Sequence, residues 1–258
     1  MRTTSRRRLD IGLMAGGSLA VGVVALIGGV AGNTERVTRY WTAAELNADG
    51  SARVTEVIDY EFGAVAQDRH GIFRWVPGLD PAAAIEVSSP DAPDDVSVTS
   101  ESHPRTDGTP VSGVNIRIGD PNTTVSGRHR YEIGYQLPDV RQGDAVDWEA
   151  VGTLWDVGMD EVEVHLVTPF ELDEAACFHG SAGSTAGCAI RQVEPGHVAV
   201  TLDSLGAEEG VSVEGRVGAP LATAPAAPTP PADPPDEPGT GLLPPAGAAA
   251  AAAALAAV

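Results

Sequence analysis

The alternation of apolar and polar residues between Val114 and Leu137 predicts β-strands with one buried face. Apolar side chains occupy every second position in residues 114–118 and again in residues 131–137. This period of two is that of a strand and not of a helix. The residues between the two runs, 119–127, are rich in Gly, Pro and Asn, which favour turns. The stretch is therefore predicted to form two strands joined by a turn, around which the rest of the fold is organised.

The same period recurs along the chain as far as residue 217. Residues 39–46 and 52–62 flank the turn sequence Asn47–Gly50 and are predicted to pair as a hairpin. No convincing amphipathic helix interrupts the series. The sequence thus predicts an all-β fold of about ten strands, an antiparallel β-sandwich that is immunoglobulin-like in general architecture. Further short strands are predicted at residues 72–76, 84–87, 96–98, 162–166, 198–202 and 211–217.

The N-terminal end has a different pattern. Residues 1–33 begin with an Arg-rich stretch and continue as an uncharged apolar run, which is typical of a signal peptide or of a signal-anchor helix. The run is long enough to span a bilayer but is rich in glycine, so both alternatives stay open. In either case the basic flank is expected to stay in the cytoplasm. The β-sandwich domain, residues 36–217, is expected on the extracytoplasmic side.

Beyond the domain the composition changes to proline and alanine. Residues 218–245 are predicted to form a disordered, extended linker, because proline holds the backbone near polyproline geometry. Residues 246–258 form an apolar Ala-rich tail that is too short to cross a bilayer alone. This tail is either a frayed helix in water or the start of a transmembrane helix. The protein is thus expected at the cell membrane, held by its N-terminal helix and, in the second case, by the tail.

The charge balance narrows the range of partners. The chain carries 36 acidic and 16 basic residues, a formal net charge of −20, and every basic residue is arginine. So acidic a surface repels nucleic acid, which excludes nucleic-acid binding as a function. The partner that we expect is an unidentified protein or a polymer of the cell wall.

Several short stretches together resemble DUF2207, a domain of unknown function of predicted membrane proteins. They are DGS at residues 49–51, GIFRWVP at 71–77, IRIGDPN at 116–122, DW at 147–148 and GTLW at 152–155. The resemblance implies an N-terminal signal, an extracytoplasmic β-rich domain and one or more membrane helices. The activity of the family is not established, so the resemblance assigns no catalytic residue.

Residue types that serve catalysis or metal binding show no diagnostic spacing. No HExxH or GxSxG motif is present. Adjacent acids such as Asp94 and Asp95 have the chemistry of a glycoside hydrolase, but in so acidic a chain such pairs arise by chance. We therefore predict no catalytic residue, no metal site, no cofactor and no enzymatic activity. The other adjacent acids are Asp160–Glu161 and Glu208–Glu209, and the six histidines, expected to be solvated, are His70, His103, His129, His165, His179 and His197.

Two cysteines, Cys177 and Cys188, bracket a loop of small residues. In a protein that is exported to an oxidising compartment, this arrangement favours a disulfide. The alternative is a metal site with His179 as a third ligand, but the sequence offers no fourth ligand nearby.

Glu56 falls in the apolar register of its strand, together with Val54 and Ile58. A buried carboxylate needs a partner, because an unpaired buried charge costs several kcal/mol. Arg74 is the predicted partner if its face of the next strand is buried. If Phe73 and Trp75 form the buried face instead, Arg74 points to solvent. We interpret the pair as structural, since a charge-paired carboxylate is a poor general acid.

The sequence therefore favours a non-catalytic binding or structural domain of the cell envelope that contacts its partner through loops and strand edges. Two alternatives stay open, the sensory ectodomain of a membrane signalling protein and an envelope hydrolase. A deep pocket that gathers carboxylates would favour the hydrolase, and an accessible apolar surface would favour the binding domain.

Overall fold

A computed structural model describes residues 35–63 and 68–232. These residues form strands, turns and loops without a helix, as the all-β prediction requires. Among them there is consequently no helix that could cross a bilayer. The predicted signal segment 1–33, the tail 246–258 and linker residues 233–245 lie outside the described residues.

The described residues contain fifteen strands. Their bounds are β1 Arg36–Leu46, β2 Ala52–Glu61, β3 Ile72–Pro77, β4 Ile85–Ser88, β5 Val96–Pro104, β6 Pro110–Ile118, β7 Arg128–Leu137, β8 Arg141–Gln142, β9 Ala145–Val151, β10 Met159–Val167, β11 Phe170–Ser181, β12 Ala186–Gly187, β13 Ile190–Glu194, β14 His197–Leu205 and β15 Glu209–Pro220.

The strands form three sheets. The largest has seven strands in the order β13-β14-β10-β1-β2-β7-β4, the second has five in the order β12-β11-β15-β9-β8, and the third has three in the order β3-β6-β5. All pairs are antiparallel except β1 with β10, which are parallel. This parallel pair departs from the predicted antiparallel pairing. It is possible because more than a hundred residues of chain, including β2 to β9, separate β1 from β10 and supply the crossover that a parallel pair needs.

The hairpin predicted around Asn47–Gly50 is confirmed. β1 and β2 pair along their whole length, and Gly50 N donates to Asn47 O within the turn. The organising hairpin predicted at residues 114–137 is wrong in its pairing, although both of its strands exist. β6 pairs with β3 and β5, whereas β7 pairs with β2 and β4. The loop of residues 119–127 is much longer than a hairpin turn, and it carries the chain from one sheet to another.

One buried apolar cluster contains side chains from all three sheets. Tyr40 and Val54 enter it from the seven-stranded sheet, Trp148 from the five-stranded sheet and Ile116 from the three-stranded sheet. The sheets are thus layers around a common core. A smaller cluster of Trp41, Ala43 and Val57 is separate from this core.

Two glycines of the DUF2207-like stretches allow the backbones of β3 and β6 to approach closely at one end of the three-stranded sheet. Gly71 and Gly119 both have positive φ, at +131° and +130°, and lie against each other where β3 and β6 meet. A side chain at either position would overlap with the backbone of the other strand. Close backbone contact therefore requires glycine here.

Candidate functional site

Glu56 and Arg74 meet in the interior of the protein. Glu56 shares its face of β2 with Val54 and Ile58. The side chains of Glu56 and Arg74 are 0% and 1% exposed. Arg74 Nη2 lies 2.7 Å from Glu56 Oε1, and Arg74 Nε lies 2.9 Å from Glu56 Oε2. The two side chains that the sequence proposed as an ion pair are thus brought together as a bidentate pair.

Strand β3 is covered on both faces at Arg74 and Trp75 but not at Phe73. Arg74 and Trp75 are 1% and 3% exposed, whereas Phe73 is 57% exposed. Trp75 makes an edge contact with His103 of β5, with ring centroids 5.3 Å apart. The alternative in which Arg74 points to solvent is therefore not what the structure has.

The remaining polar atoms of the pair are also engaged. The Tyr135 hydroxyl donates to Glu56 Oε1 at 2.5 Å, and Arg74 donates to the carbonyl oxygens of Trp75 and Ala150. Burial, followed by the nearby Glu56 charge, raises the pKa of Tyr135 well above its ordinary value, so the phenol stays a neutral donor. Gly152 has no side chain, which leaves room for the Arg74 guanidinium beside it. Glu56 and Arg74 are thus sealed from solvent, with every charged group matched to a partner inside the protein.

Cys177 and Cys188 form a disulfide. Cys177 lies on β11 and is 3% exposed, and Cys188 N donates to Cys177 O at 2.9 Å. The bond closes the loop of small residues that includes Gly183. Gly183 N donates to Thr106 O at 2.8 Å. The disulfide-bonded loop therefore contacts the turn between β5 and β6.

That turn is also held by β9. Thr106 donates to Glu149 Oε1 through its backbone N at 2.9 Å and through its hydroxyl at 2.6 Å. Burial raises the pKa of Glu149, and the bonds from Thr106 and the Arg105 charge oppose that rise. Arg105 Nη1 donates to Asp147 Oδ2 at 2.7 Å. Residues of β9 and of the disulfide-bonded loop thus clamp the tip of the β5–β6 hairpin.

A cleft of about 340 Å³ opens beside this clamp. Its lining includes Arg105, Asp139, Asp147, Trp148 and Glu149. Three carboxylates therefore reach one cleft, which no local sequence pattern indicated. Two of the three have partners within the protein, Asp147 in Arg105 and Glu149 in Thr106 and Arg105.

Strand β5 forms one edge of the three-stranded sheet, and its outer side pairs with no other strand of the described residues. It has nine residues, whereas the other edge strands of the three sheets have between two and six. Val96 and Val98 are 43% and 41% exposed. Long open edges with exposed apolar residues are usually avoided, because they pair with other chains. The clamp at Thr106 and the bond from Gly119 N to Asp95 O hold both ends of this edge.

His165 and His197 are not solvated as predicted. Both are 6% exposed, and His165 Nδ1 lies 3.0 Å from His197 Nε2. His165 Nε2 lies 3.0 Å from Glu163 Oε1, and its ring contacts that of Trp41 at 5.7 Å between centroids. Burial lowers the pKa of both histidines. Trp41 was the sequence signal for this burial. It is an aromatic residue on the face of β1 opposite to Tyr40, which indicates that the outer face is also covered.

The adjacent acids of the sequence do not converge. Asp94 and Asp95 are exposed, and Glu208 lies at a turn. Asp160 and Glu161 pair with Arg36 and Arg39 at the surface. Within residues 35–63 and 68–232, no group of three His, Cys, Asp or Glu side chains is arranged to hold a metal ion.

The fold and these contacts define an all-β domain with a buried ion pair, a disulfide and one long open edge. Residues 36–216 match the family model described as the N-terminal domain of a predicted membrane protein, DUF2207. The chain belongs to this family.

Comparison with individual proteins adds little. No curated protein matches the chain. A crystal structure of a "putative protease" from Parabacteroides distasonis overlaps with 70% of this chain and 40% of its own length, at 14% identity and a TM-score of 0.38. The chain thus spans about two fifths of that protein, and a likeness this low bears neither on fold nor on activity.

Proposed function

We propose that this domain is a non-catalytic binding module of the cell envelope that docks an extended segment of a partner protein along β5. The observation that carries the proposal is the open nine-residue edge of β5, with Val96 and Val98 exposed beside it. An added strand gains backbone hydrogen bonds along such an edge, and side-chain pockets give selectivity. Anchoring of both ends of the strand lowers the entropy that binding must overcome.

Site-specific photo-crosslinking in the cells that make the protein tests this proposal. A photoreactive residue at Val98 should capture a discrete protein partner. The same residue at Val193 is the matched control, because Val193 is also 41% exposed and lies on an edge strand, β13. Equal capture from both positions, or none from Val98, would refute docking at β5.

A charge at the edge gives the complementary test. Val98→Lys should abolish capture from a photoreactive residue placed at Val96, since charged residues on edge strands oppose pairing with a further strand. Val193→Lys should leave that capture unchanged.

The placement of the domain outside the cell membrane is part of the same proposal. Its support is the family description as a predicted membrane protein and the Arg-rich, apolar sequence of residues 1–33. Because β15 runs to Pro220, a topology reporter belongs after Ala232 and not within the strand. A reporter that folds only outside the cytoplasm should be active there, and activity of a strictly cytoplasmic reporter would refute the placement.

An envelope hydrolase is the second candidate, favoured by the three carboxylates of the cleft and the raised pKa of Glu149. It ranks second because Thr106 and Arg105 occupy the oxygens of Glu149. The two candidates differ in one measurement, release of soluble fragments from isolated cell-wall polymer. Release by the wild-type protein that is lost in Glu149→Gln would favour the hydrolase over the binding module.

A further inference from the structure

The outer face of the seven-stranded sheet carries a small apolar cluster that is shielded from solvent. Trp41, Ala43 and Val57 are 3%, 4% and 0% exposed and form a cluster separate from the core. Successive side chains of a strand point to opposite faces, so these residues lie on the face opposite to Tyr40 and Ile58, which belong to the core. The His165 ring covers part of Trp41, and residues outside these strands are candidates for shielding the rest of this face.

The segment that follows β15 has both of its ends at this sheet. Leu221 N donates to Pro169 O at 3.0 Å, and the Leu221 side chain lies against Gly196, next to the start of β14. At the other end, Arg130 Nη1 of β7 donates to Pro231 O at 2.9 Å. Residues 221–232, called here the strap, thus run from the β14 side of the sheet to β7.

Between these anchors lie β10, β1 and β2, the strands that carry His165, Trp41 and Val57. Four strand spacings of about 4.8 Å amount to about 19 Å. Ten residues of polyproline II helix reach about 31 Å, which is enough to cross the sheet obliquely. Arg130 also pairs with Asp59, which shares its face of β2 with Val57, so the Pro231 anchor is on the outer face.

The burial pattern of the strap has a period of three. Pro225, Pro228 and Pro231 are half-buried, and the residues between them are exposed. A polyproline II helix has three residues per turn, so these prolines lie on one side of it. The sequence from Pro225 to Pro231, PAAPTPP, therefore presents one proline face to the sheet.

We propose that this outer face is a recognition site for proline-rich segments with P-x-x-P spacing, and that the strap occupies it in cis. Aromatic surfaces next to polar donors are the usual acceptors of polyproline helices, and Trp41 and Arg130 supply both groups here. A proline-rich segment of the same spacing would compete with the strap, and its binding would release about ten residues of chain between β15 and Ala232. This site is independent of the docking edge at β5.

Hydroxyl-radical footprinting of the full chain, read by mass spectrometry, tests the proposal. Trp41 reports on the strap, and Trp148, which is 1% exposed in the main core, reports on global unfolding. In the triple variant Pro225→Ala, Pro228→Ala, Pro231→Ala, oxidation of Trp41 should rise severalfold while that of Trp148 stays at the wild-type rate. The matched single variants are Pro228→Ala, which should raise oxidation of Trp41, and Pro230→Ala, an exposed position that should not.

Recognition in trans is measured on the triple variant. A synthetic peptide of residues 221–232 should restore protection of Trp41, and the same peptide with its three half-buried prolines replaced by alanine should not. Since a short tether gives an effective concentration in the millimolar range, the peptide is supplied up to several millimolar. Equal oxidation of Trp41 in the wild type and the triple variant would refute the strap. Failure of the wild-type peptide to protect Trp41 would refute the recognition site.

Discussion

Arg74 and Glu56 form a bidentate ion pair at the centre of the core, at 1% and 0% exposure. Their partners Tyr135 and Ala150 come from β7 and β9, so the pair joins strands of all three sheets. A buried pair is weak evidence for stability, because desolvation offsets much of the attraction. We expect its stronger effect to be on specificity, since any register that separates the two charges leaves both unpaired.

A double-mutant cycle measures this coupling. Glu56→Gln and Arg74→Met should each lower the free energy of unfolding by about 3–5 kcal/mol, because each leaves the other group buried without its partner. The double variant should recover part of the loss. Urea denaturation of the four proteins gives the coupling energy. The surface ion pair of Arg216 and Glu174 is the control, and its double-mutant cycle should give a coupling energy of about 0–1 kcal/mol. Additive losses at Glu56 and Arg74 would contradict the expected coupling.

The pair was accessible to sequence reasoning, and the reason is the strand period. Glu56 stands at an apolar position of a regular alternation, which indicates burial and hence the need for a cation. Which strands pair with β6 and which with β7 could not be predicted in the same way. Alternation tells which face of a strand is buried but not which strand lies beside it, and the loop between them hides a change of sheet.

The clamp and the histidine pair were missed for related reasons. Thr106 and Glu149 are 43 residues apart, and Glu149 follows Trp148 in a position that normally faces solvent. His165 lies in the outward register of β10, as the sequence indicated. A side chain that points outward is nevertheless buried where other residues cover that face. The sequence did contain an indication that both faces of β1 are buried, because the consecutive residues Tyr40 and Trp41 are both aromatic and point to opposite faces.

The disulfide should contribute to stability as well as to the position of the β5–β6 turn. Cys177 and Cys188 are 11 residues apart, and closing such a loop contributes roughly 3 kcal/mol in the chain-entropy account. Reductant should therefore lower the midpoint of thermal unfolding of the wild type and leave that of Cys177→Ser, Cys188→Ser unchanged. Two free thiols in the wild-type protein purified without reductant, found by alkylation and mass spectrometry, would contradict the expected bond.

The clamp at Glu149 should determine how rigid the β5 edge is. Thr106→Val removes the hydroxyl donor at 2.6 Å and leaves one oxygen of a buried carboxylate with fewer partners. A loss of about 1–3 kcal/mol is expected. Hydrogen–deuterium exchange should become faster in residues 100–110. Thr99→Val is the matched control, because Thr99 is exposed on β5, and unchanged exchange in Thr106→Val would contradict a role for the clamp.

His165 and His197 have one hydrogen-bond arrangement that satisfies both neutral rings. If His165 Nε2–H donates to Glu163, its Nδ1 accepts from Nε2–H of His197. This tautomer assignment follows from the contacts. In this tautomer a proton on Nδ1 of His165 would face the N–H of His197, and burial disfavours the charged form of both rings.

Stability should therefore fall on acidification. Burial lowers the folded-state pKa of both histidines below the ordinary value of 6.5. The unfolded chain thus binds protons that the folded chain does not, and the free energy of unfolding decreases as the pH falls from about 6.5 towards the folded-state pKa. Glu163 raises the pKa of His165, and Glu194 that of His197, but Arg191 lowers both. Urea denaturation between pH 7.5 and pH 5, the range over which histidine normally changes charge, should show this loss in the wild type and a smaller loss in His165→Gln, His197→Gln. His179→Gln, the control, should follow the wild type, and an equal loss in all three proteins would assign the acid sensitivity to other groups.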